Sequence, residues 1–167
     1  MCKYFTLLAI IITTYQIFAQ DYKFIPDEKN GEQLILGYCP VSLMNDSTFN
    51  NTWTSEYESY KPDYEILDSL EGKLEDINIK IVFRSTCSDS REQLPRFFKI
   101  LKELNYNLNS ITLIGINREK QGLSNEAEGL DIQFVPTIIF YKDGIEIGRI
   151  VETPYESLEK DLLKILS

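Results

Sequence analysis

The segment from Phe83 to Ser90, FRSTCSDS, places Cys87 at the junction of two different patterns. Alternate positions before it are apolar, which is the period of a strand. They are Ile77, Ile79, Ile81 and Phe83. Apolar residues after it recur at helical spacing, which predicts a buried stripe. They are Leu94, Phe97, Phe98, Leu101 and Leu104. The sequence therefore predicts a partly exposed cysteine that follows a strand and begins a helix.

A second informative segment lies some fifty residues downstream. It runs from Phe134 to Thr137, FVPT, and opens another apolar strand with a proline. Residues 111–116 are nearly all apolar, the pattern of a strand covered on both faces. Strands predicted at 137–141 and 145–151 flank an Asp-Gly pair, which favours a tight hairpin turn.

Two more helices are predicted in this half of the chain. Residues 122–129 are expected to form a short helix and a loop. Thr153, Pro154 and Glu156 match a helix cap, a first helical position and the acid of a capping box. The inward stripe of that last helix would be Leu158, Leu162, Leu163 and Leu166. The resulting order β-α-β-α-β-β-α predicts an α/β fold, a central mixed sheet flanked by helices on both faces.

Residues 20–75 precede this pattern and are predicted to form an N-terminal, mainly helical extension packed on the domain at 76–167. Within it, 33–38 is a short apolar run that could be a strand and ends at Cys39. Residues 46–60 carry Trp53, Tyr57 and Tyr60 at helical spacing. These aromatics are expected to dock the helix on the domain, the alternative being a ligand groove. Helical spacing resumes from Tyr64 to Leu74 after a break at Pro62.

Residues 1–19 resemble an export signal. Lys3 is followed by a mostly apolar run, and Ala19 ends a plausible cleavage site. A membrane anchor is the alternative, but a spanning helix needs about 20 apolar residues, and Thr13, Thr14 and Gln16 dilute this shorter run. The expected product is a soluble protein exported to the periplasm or secreted.

Composition excludes several classes of function. The net charge is −9, and cleavage after residue 19 would make it −10, so nucleic acid is not an expected partner. The absence of histidine excludes histidine-based triads, Cys-His nucleophiles and imidazole metal sites. No metal site or cofactor is expected. Cleavage would leave Cys39 and Cys87, which in an oxidising compartment could form one disulfide.

The positions of Cys87, Pro95 and Val135-Pro136-Thr137 together resemble the thioredoxin superfamily over residues 76–167. The resemblance implies a thioredoxin-like fold in which Cys87 is the nucleophile and Pro95 lies in the active-site helix. It also implies a cis Val135–Pro136 bond beside the cysteine and a substrate groove lined by Thr86, Val135, Pro136 and Thr137.

The chain departs from that family at four places. Ser90 stands where the resolving cysteine of the Cys-x-x-Cys motif is expected, and Ser88-Asp89 replaces the usual Gly-Pro. Thr86 replaces a tryptophan, and Ile81 replaces a buried acid. Because Ser90 is too weak a nucleophile to release a mixed disulfide, thioredoxin-like stoichiometric reduction is not expected.

The chemistry of a lone Cys87 follows from its position. A helix N-terminus favours the thiolate through its dipole and free N–H groups. Ser90 is expected to donate a hydrogen bond to that sulfur, and Arg84 or Arg91 to add positive charge. Asp89 acts in the opposite direction.

Three functional hypotheses remain open from the sequence. The first is monothiol thiol–disulfide exchange through Cys87, as an oxidoreductase or isomerase acting on protein or small-molecule thiols and disulfides. The second is a non-catalytic module that binds extended peptides in the groove around Pro136. In the third, Cys39 and Cys87 form a structural or regulatory disulfide.

Overall fold

The computed structural model describes residues 21–45 and 52–167, and the predicted signal at 1–19 lies outside them. The described residues form six strands and four α-helices. The strands are β1 (Tyr22–Pro26), β2 (Gln33–Cys39), β3 (Ile77–Phe83), β4 (Thr112–Gly115), β5 (Thr137–Lys142) and β6 (Ile145–Val151). The helices are α1 (Trp53–Ser59), α2 (Tyr64–Leu70), α3 (Ser88–Glu103) and α4 (Leu158–Ile165). Short 3-10 turns occur at Val41–Asn45 and Leu108–Ser110.

The six strands form one mixed sheet in the order β1-β2-β4-β3-β5-β6. Strands β3 and β4 are parallel, and the other neighbours are antiparallel. The strands predicted near 33–38, 77–83, 111–116, 137–141 and 145–151 are confirmed. The Asp-Gly turn between β5 and β6 has positive φ at both Asp143 (52°) and Gly144 (78°), as a tight hairpin turn requires.

The N-terminal segment belongs to the sheet. The β1–β2 hairpin joins it through an antiparallel β2–β4 pair, in which Gly37 lies opposite Gly115 and Cys39 opposite Leu113. A Cβ atom on Gly115 would collide with the Ile35 carbonyl oxygen, so only glycine permits this approach. The expected helical extension therefore also contributes two strands. Sequence reasoning missed β1 because this edge strand is largely exposed and shows no apolar alternation.

The four α-helices of the described chain lie on one side of the sheet and share a core with it, α1 packing on α3 and α2 on α4. The α3 stripe is confirmed, with Leu94, Phe97, Phe98 and Leu101 all buried. Phe97 meets Phe140 of β5 edge-to-face at 6.0 Å, and Trp53 of α1 meets Phe98 at 5.4 Å. The predicted docking role of Trp53 is therefore confirmed. Pro95 lies within α3, as expected, and is buried.

The opposite face is covered by residues 116–135, which form turns and bends. The short helix predicted at 122–129 and the expectation of helices on both faces are wrong. That segment offers too few apolar side chains for a helical stripe, since its buried apolar contacts come from Ile116, Ile132 and Val135. Arg149 of β6 contacts this segment, because its guanidinium donates to the Leu130 carbonyl at 3.0 Å. The same guanidinium donates to the two carboxylate oxygens of Glu146, at 2.6 and 2.7 Å.

Helix α4 begins later than predicted. Its N-cap is Ser157, whose hydroxyl accepts from the Lys160 N–H at 3.2 Å, so the predicted cap at Thr153 and first position at Pro154 are wrong. Residues 153–156 instead form a turn closed by Asp161, whose carboxylate accepts from the Tyr155 and Glu156 N–H groups. The predicted stripe is present, with Leu158 and Leu162 buried and Leu163 and Leu166 packed at its border. Helix α2 is shorter than expected and ends at Leu70, although Leu74 is also buried.

Candidate functional site

Cys87 is the N-cap residue of α3, as predicted. Its N–H donates to the Arg84 carbonyl at 3.0 Å, which closes a turn after β3, and its own carbonyl accepts from the Arg91 N–H at 3.0 Å, which starts the helix. The residue is only 7% exposed. The expectation of a partly exposed cysteine is therefore wrong, because the 116–135 segment covers this end of the sheet.

The thiol of Cys87 lies against the segment that precedes Pro136. Its sulfur is 3.4 Å from the Val135 carbonyl oxygen, to which it can donate, and 3.7 Å from a carboxylate oxygen of Asp89. The Val135–Pro136 bond is cis, as expected. The Thr137 hydroxyl donates to the Phe134 carbonyl at 2.6 Å and closes that turn. The chain thus brings together two segments that are 48 residues apart.

Ser90 makes no hydrogen bond to the thiol. It is 2% exposed, and its hydroxyl has no hydrogen-bond partner within the described chain. The expected hydrogen bond from Ser90 to Cys87 is wrong because the Cys87 sulfur faces Val135 and Asp89, whereas the Ser90 hydroxyl is enclosed by protein.

The two arginines proposed as neighbours of Cys87 differ in role. Arg91 donates to the Ser85 carbonyl at 2.8 Å and pairs with Glu32, so its guanidinium is held against the β1–β2 turn. Arg84 lines the groove beside Cys87, and its Nε is buried without a partner among the described residues. Of the two, Arg84 is the cation that faces the site.

Asp27, at the start of the β1–β2 turn, is a site residue that sequence reasoning missed. It is 3% exposed, and its carboxylate accepts from the Thr86 hydroxyl at 2.6 Å and the Lys29 N–H at 3.0 Å. Arg118 lies 3.4 Å away. The hydrogen bond from Thr86, then that from Lys29 and the charge of Arg118, lower the pKa of Asp27, and burial opposes them. Asp27 therefore holds the residue that precedes Cys87.

Strand β2 makes further hydrogen bonds to the residues before Cys87. The Ser85 hydroxyl accepts from the Ile35 N–H and donates to the Gln33 carbonyl, both at 3.1 Å. Together with the Glu32–Arg91 and Asp27–Thr86 contacts, these bonds join the hairpin to two consecutive residues, Ser85 and Thr86, and to the first turn of α3. These contacts could not be predicted from the local sequence, because hydrogen-bond partners some fifty residues apart produce no periodic pattern.

A groove of about 390 Å³ opens beside Cys87. The predicted residues Thr86 and Val135 line it, together with Phe134, which is 57% exposed. Pro136 and Thr137 are buried behind it and are not part of its lining. Three cationic residues and two acidic residues also line the groove, namely Arg84, Arg118, Lys120, Asp89 and Glu152.

Cys39 lies elsewhere, at the end of β2. Its sulfur is 3.5 Å from the Gly37 carbonyl and 3.9 Å from the Leu113 carbonyl, and burial raises the pKa of its thiol to about 12. Cys39 packs in the core beneath the helices, whereas Cys87 packs with Val82 and Val135 on the other face. Both are free thiols.

Comparison with protein-family models, with curated proteins and with solved structures gives no match to this chain. Among the residues that the structure describes, no group of three or more acidic or cysteine side chains could hold a metal ion. No helix in the described ranges has the length and apolar character needed to cross a membrane.

Replacing Asp27 with asparagine is expected to lower the free energy of unfolding at pH 7 by about 1–3 kcal/mol, the usual range for hydrogen bonds to a buried charge. Because folding lowers the pKa of Asp27, its stabilisation is present above the unfolded value of about 3.9 and is lost as the pH falls through the folded value. Denaturant unfolding from pH 7 to pH 2 should show the difference shrinking only in acid. Asp68→Asn, at an exposed position of α2, is the control. A difference that persists unchanged at pH 2 would contradict this role.

Proposed function

We propose that this chain is an exported, thioredoxin-like protein that performs monothiol thiol–disulfide exchange through Cys87. The observation that carries the proposal is the position of the Cys87 sulfur, at the amino end of α3 and 3.4 Å from the Val135 carbonyl, at the edge of a groove. The thioredoxin-like assignment is supported by the β3-α3-β4 crossover and the β5–β6 hairpin that follows Pro136.

The exchange step is a substitution at sulfur. The Cys87 thiolate attacks one sulfur of a bound disulfide, a Cys87–substrate S–S bond forms, the substrate S–S bond breaks, and the other half leaves as a thiolate. Oxidation states balance, because one disulfide is consumed and one is formed. The helix N-terminus supplies unpaired N–H groups next to the attacking sulfur.

Release requires a second thiol. Ser90 cannot provide it, and Cys39 lies in the core on the other face of the sheet. An external thiol must therefore attack the Cys87 mixed disulfide, form a new disulfide with the substrate sulfur and regenerate the Cys87 thiolate. This pattern suits exchange and isomerisation with protein or small-molecule thiols in the periplasm or outside the cell, without a cofactor.

A non-catalytic peptide-binding module is the alternative function. The low exposure of Cys87 and the carboxylate of Asp89 facing its thiol favour this alternative, as does the exposed Phe134 beside the groove. In this case the groove would hold extended peptides without covalent exchange. A Cys39–Cys87 disulfide is not proposed, because the two sulfurs contact different carbonyl groups and pack in separate parts of the core.

A multiple-turnover assay distinguishes exchange from binding. The substrate is a fluorescent peptide in mixed disulfide with mercaptoethanol, and excess mercaptoethanol serves as the external thiol. Cys2 is replaced by alanine in every variant, so that Cys39 and Cys87 are the remaining thiols that can react with the substrate. The parent chain and Cys39→Ser should release the peptide thiol well above the uncatalysed rate. Cys87→Ser should release it at the uncatalysed rate. A parent chain no faster than Cys87→Ser, with unchanged circular dichroism, would overturn the exchange proposal and favour the binding module.

A further inference from the structure

The groove beside Cys87 carries cationic side chains on a chain whose net charge is −9. Arg84 follows β3, and Arg118 and Lys120 follow β4, so the three approach the groove from neighbouring parallel strands. A group of cations at one place on an acidic protein attracts anionic ligands to that place.

Two of these cations have no carboxylate partner in the described chain. Arg118 shares its charge with the buried Asp27. No described carboxylate lies within ion-pair distance of Arg84 or Lys120, and the buried Nε of Arg84 lacks any hydrogen-bond acceptor. Arg84 and Lys120 both line the groove, so their positive charges are left for a ligand carboxylate to pair with.

The two acids of the groove form no ion pair with these cations within the described chain. A carboxylate oxygen of Asp89 lies 3.7 Å from the Cys87 sulfur, and the Glu152 backbone N–H donates to the Pro136 carbonyl at 2.7 Å. The 57% exposed Phe134 adds an apolar surface on the segment before Pro136. A ligand with both a carboxylate and an apolar side chain uses the groove more fully than a small charged thiol does.

We propose that the groove selects disulfides of peptides in which an acidic residue lies next to the exchanging cysteine, the carboxylate being held by Arg84 and Lys120. This inference rests on the proposed exchange at Cys87 and names its substrate class. The covalent step is unchanged. The Cys87 thiolate forms a disulfide with the peptide sulfur, and the other half of the substrate disulfide leaves as a thiolate.

The test uses matched cysteine peptides, each activated as a mixed disulfide with 2-thiopyridine, so that the leaving group is the same and its release is read by absorbance. The cysteine is flanked by glutamate, glutamine or lysine. The rate of each peptide with the Cys2→Ala, Cys39→Ser chain is divided by its rate with free N-acetylcysteine. This ratio corrects for differences in the intrinsic reactivity of the peptide disulfides. The glutamate peptide should react about fivefold faster than the glutamine peptide, as two partly exposed ion pairs would give. The lysine peptide should be slowest, and added salt should reduce the differences in rate among the three peptides.

The double substitution Arg84→Gln, Lys120→Gln should bring the glutamate-to-glutamine ratio close to one. The matched control is Lys73→Gln, Lys142→Gln, two exposed lysines outside the groove lining, which should keep the ratio. A ratio near one in the parent, with all peptides reacting at Cys87, would overturn this inference and leave the exchange proposal standing. No reaction with any peptide would overturn both.

One further arm separates peptides from small acids. Mercaptosuccinate, activated in the same way, is compared with activated mercaptoethanol. A preference for mercaptosuccinate as large as that for the glutamate peptide would overturn the peptide assignment, since it would show that a free small acid satisfies the groove. A clearly smaller preference supports the peptide.

Discussion

Ser90→Cys is expected to create a dithiothreitol-driven insulin reductase activity that the parent chain lacks. Ser90 lies one helical turn after Cys87, at i+3, where residues on a helix are neighbours. Its hydroxyl makes no hydrogen bond to the Cys87 sulfur, so a cysteine at position 90 must turn its side chain towards Cys87 to react. The Ser90 hydroxyl has no partner in the described chain, so replacing oxygen with sulfur breaks no hydrogen bond. The new thiol can attack the Cys87 mixed disulfide from within the protein, an intramolecular step with a large advantage over an external thiol.

The matched control for this gain is Ser88→Cys. Residue 88 is exposed, lies next to Cys87 in the chain and lines the same groove, but a residue at i+1 does not face its neighbour on a helix. Insulin precipitation should accelerate with Ser90→Cys by at least about tenfold, in line with the entropic advantage of an intramolecular step, and remain near background with Ser88→Cys. A folded Ser90→Cys variant at background would favour the peptide-binding module.

The second large effect is a difference in reactivity between the two described thiols. Burial raises the pKa of Cys39 to about 12, so at pH 8 about one Cys39 side chain in ten thousand is a thiolate. Iodoacetamide at pH 8 should therefore label Cys87 and leave Cys39 unmodified over many half-lives of the Cys87 reaction. Mass mapping of the Cys2→Ala chain measures both sites at once.

The control for this measurement is the same chain in guanidinium chloride, where burial is lost and both cysteines should react at similar rates. Labelling of native Cys39 as fast as Cys87 would contradict the packing of β2 against β4. Cys39→Ser should leave the rate at Cys87 unchanged, because the two residues share no contact given by the structure.

The β3–α3 unit could be predicted because its information is local. Alternate apolar residues fix β3, helical spacing fixes α3, and Cys87 falls between the two patterns. The same reasoning failed at the start of α4, even though the residues involved lie close together in the sequence. The cap of α4 was misplaced because Asp161 organises the turn before the helix, so Thr153 is not needed as a cap.

Part of the site could also be predicted, because some of its residues lie in recognisable motifs. Cys87 and Val135 belong to the two segments that resemble the thioredoxin superfamily, and that resemblance implies that the two segments lie side by side. The role of Asp27 could not be predicted, since the hydrogen bond to Thr86 spans 59 residues. The direction of the Ser90 side chain could not be predicted either, because it depends on how α3 is rotated about its axis against the sheet. A polar residue in the β1–β2 turn is ordinary in sequence terms, and only the fold shows that Asp27 is buried.

The most direct test of exchange through Cys87 is to identify the cysteine that carries a substrate. The Cys2→Ala chain is incubated with an excess of a glutamate-flanked cysteine peptide disulfide, the reaction is stopped with acid, and intact mass and peptide mapping are recorded without reductant. We expect one peptide per chain, attached at Cys87, and none on Cys87→Ser. Attachment at Cys39, or a chain with no peptide and a Cys39–Cys87 cross-link, would contradict exchange through Cys87.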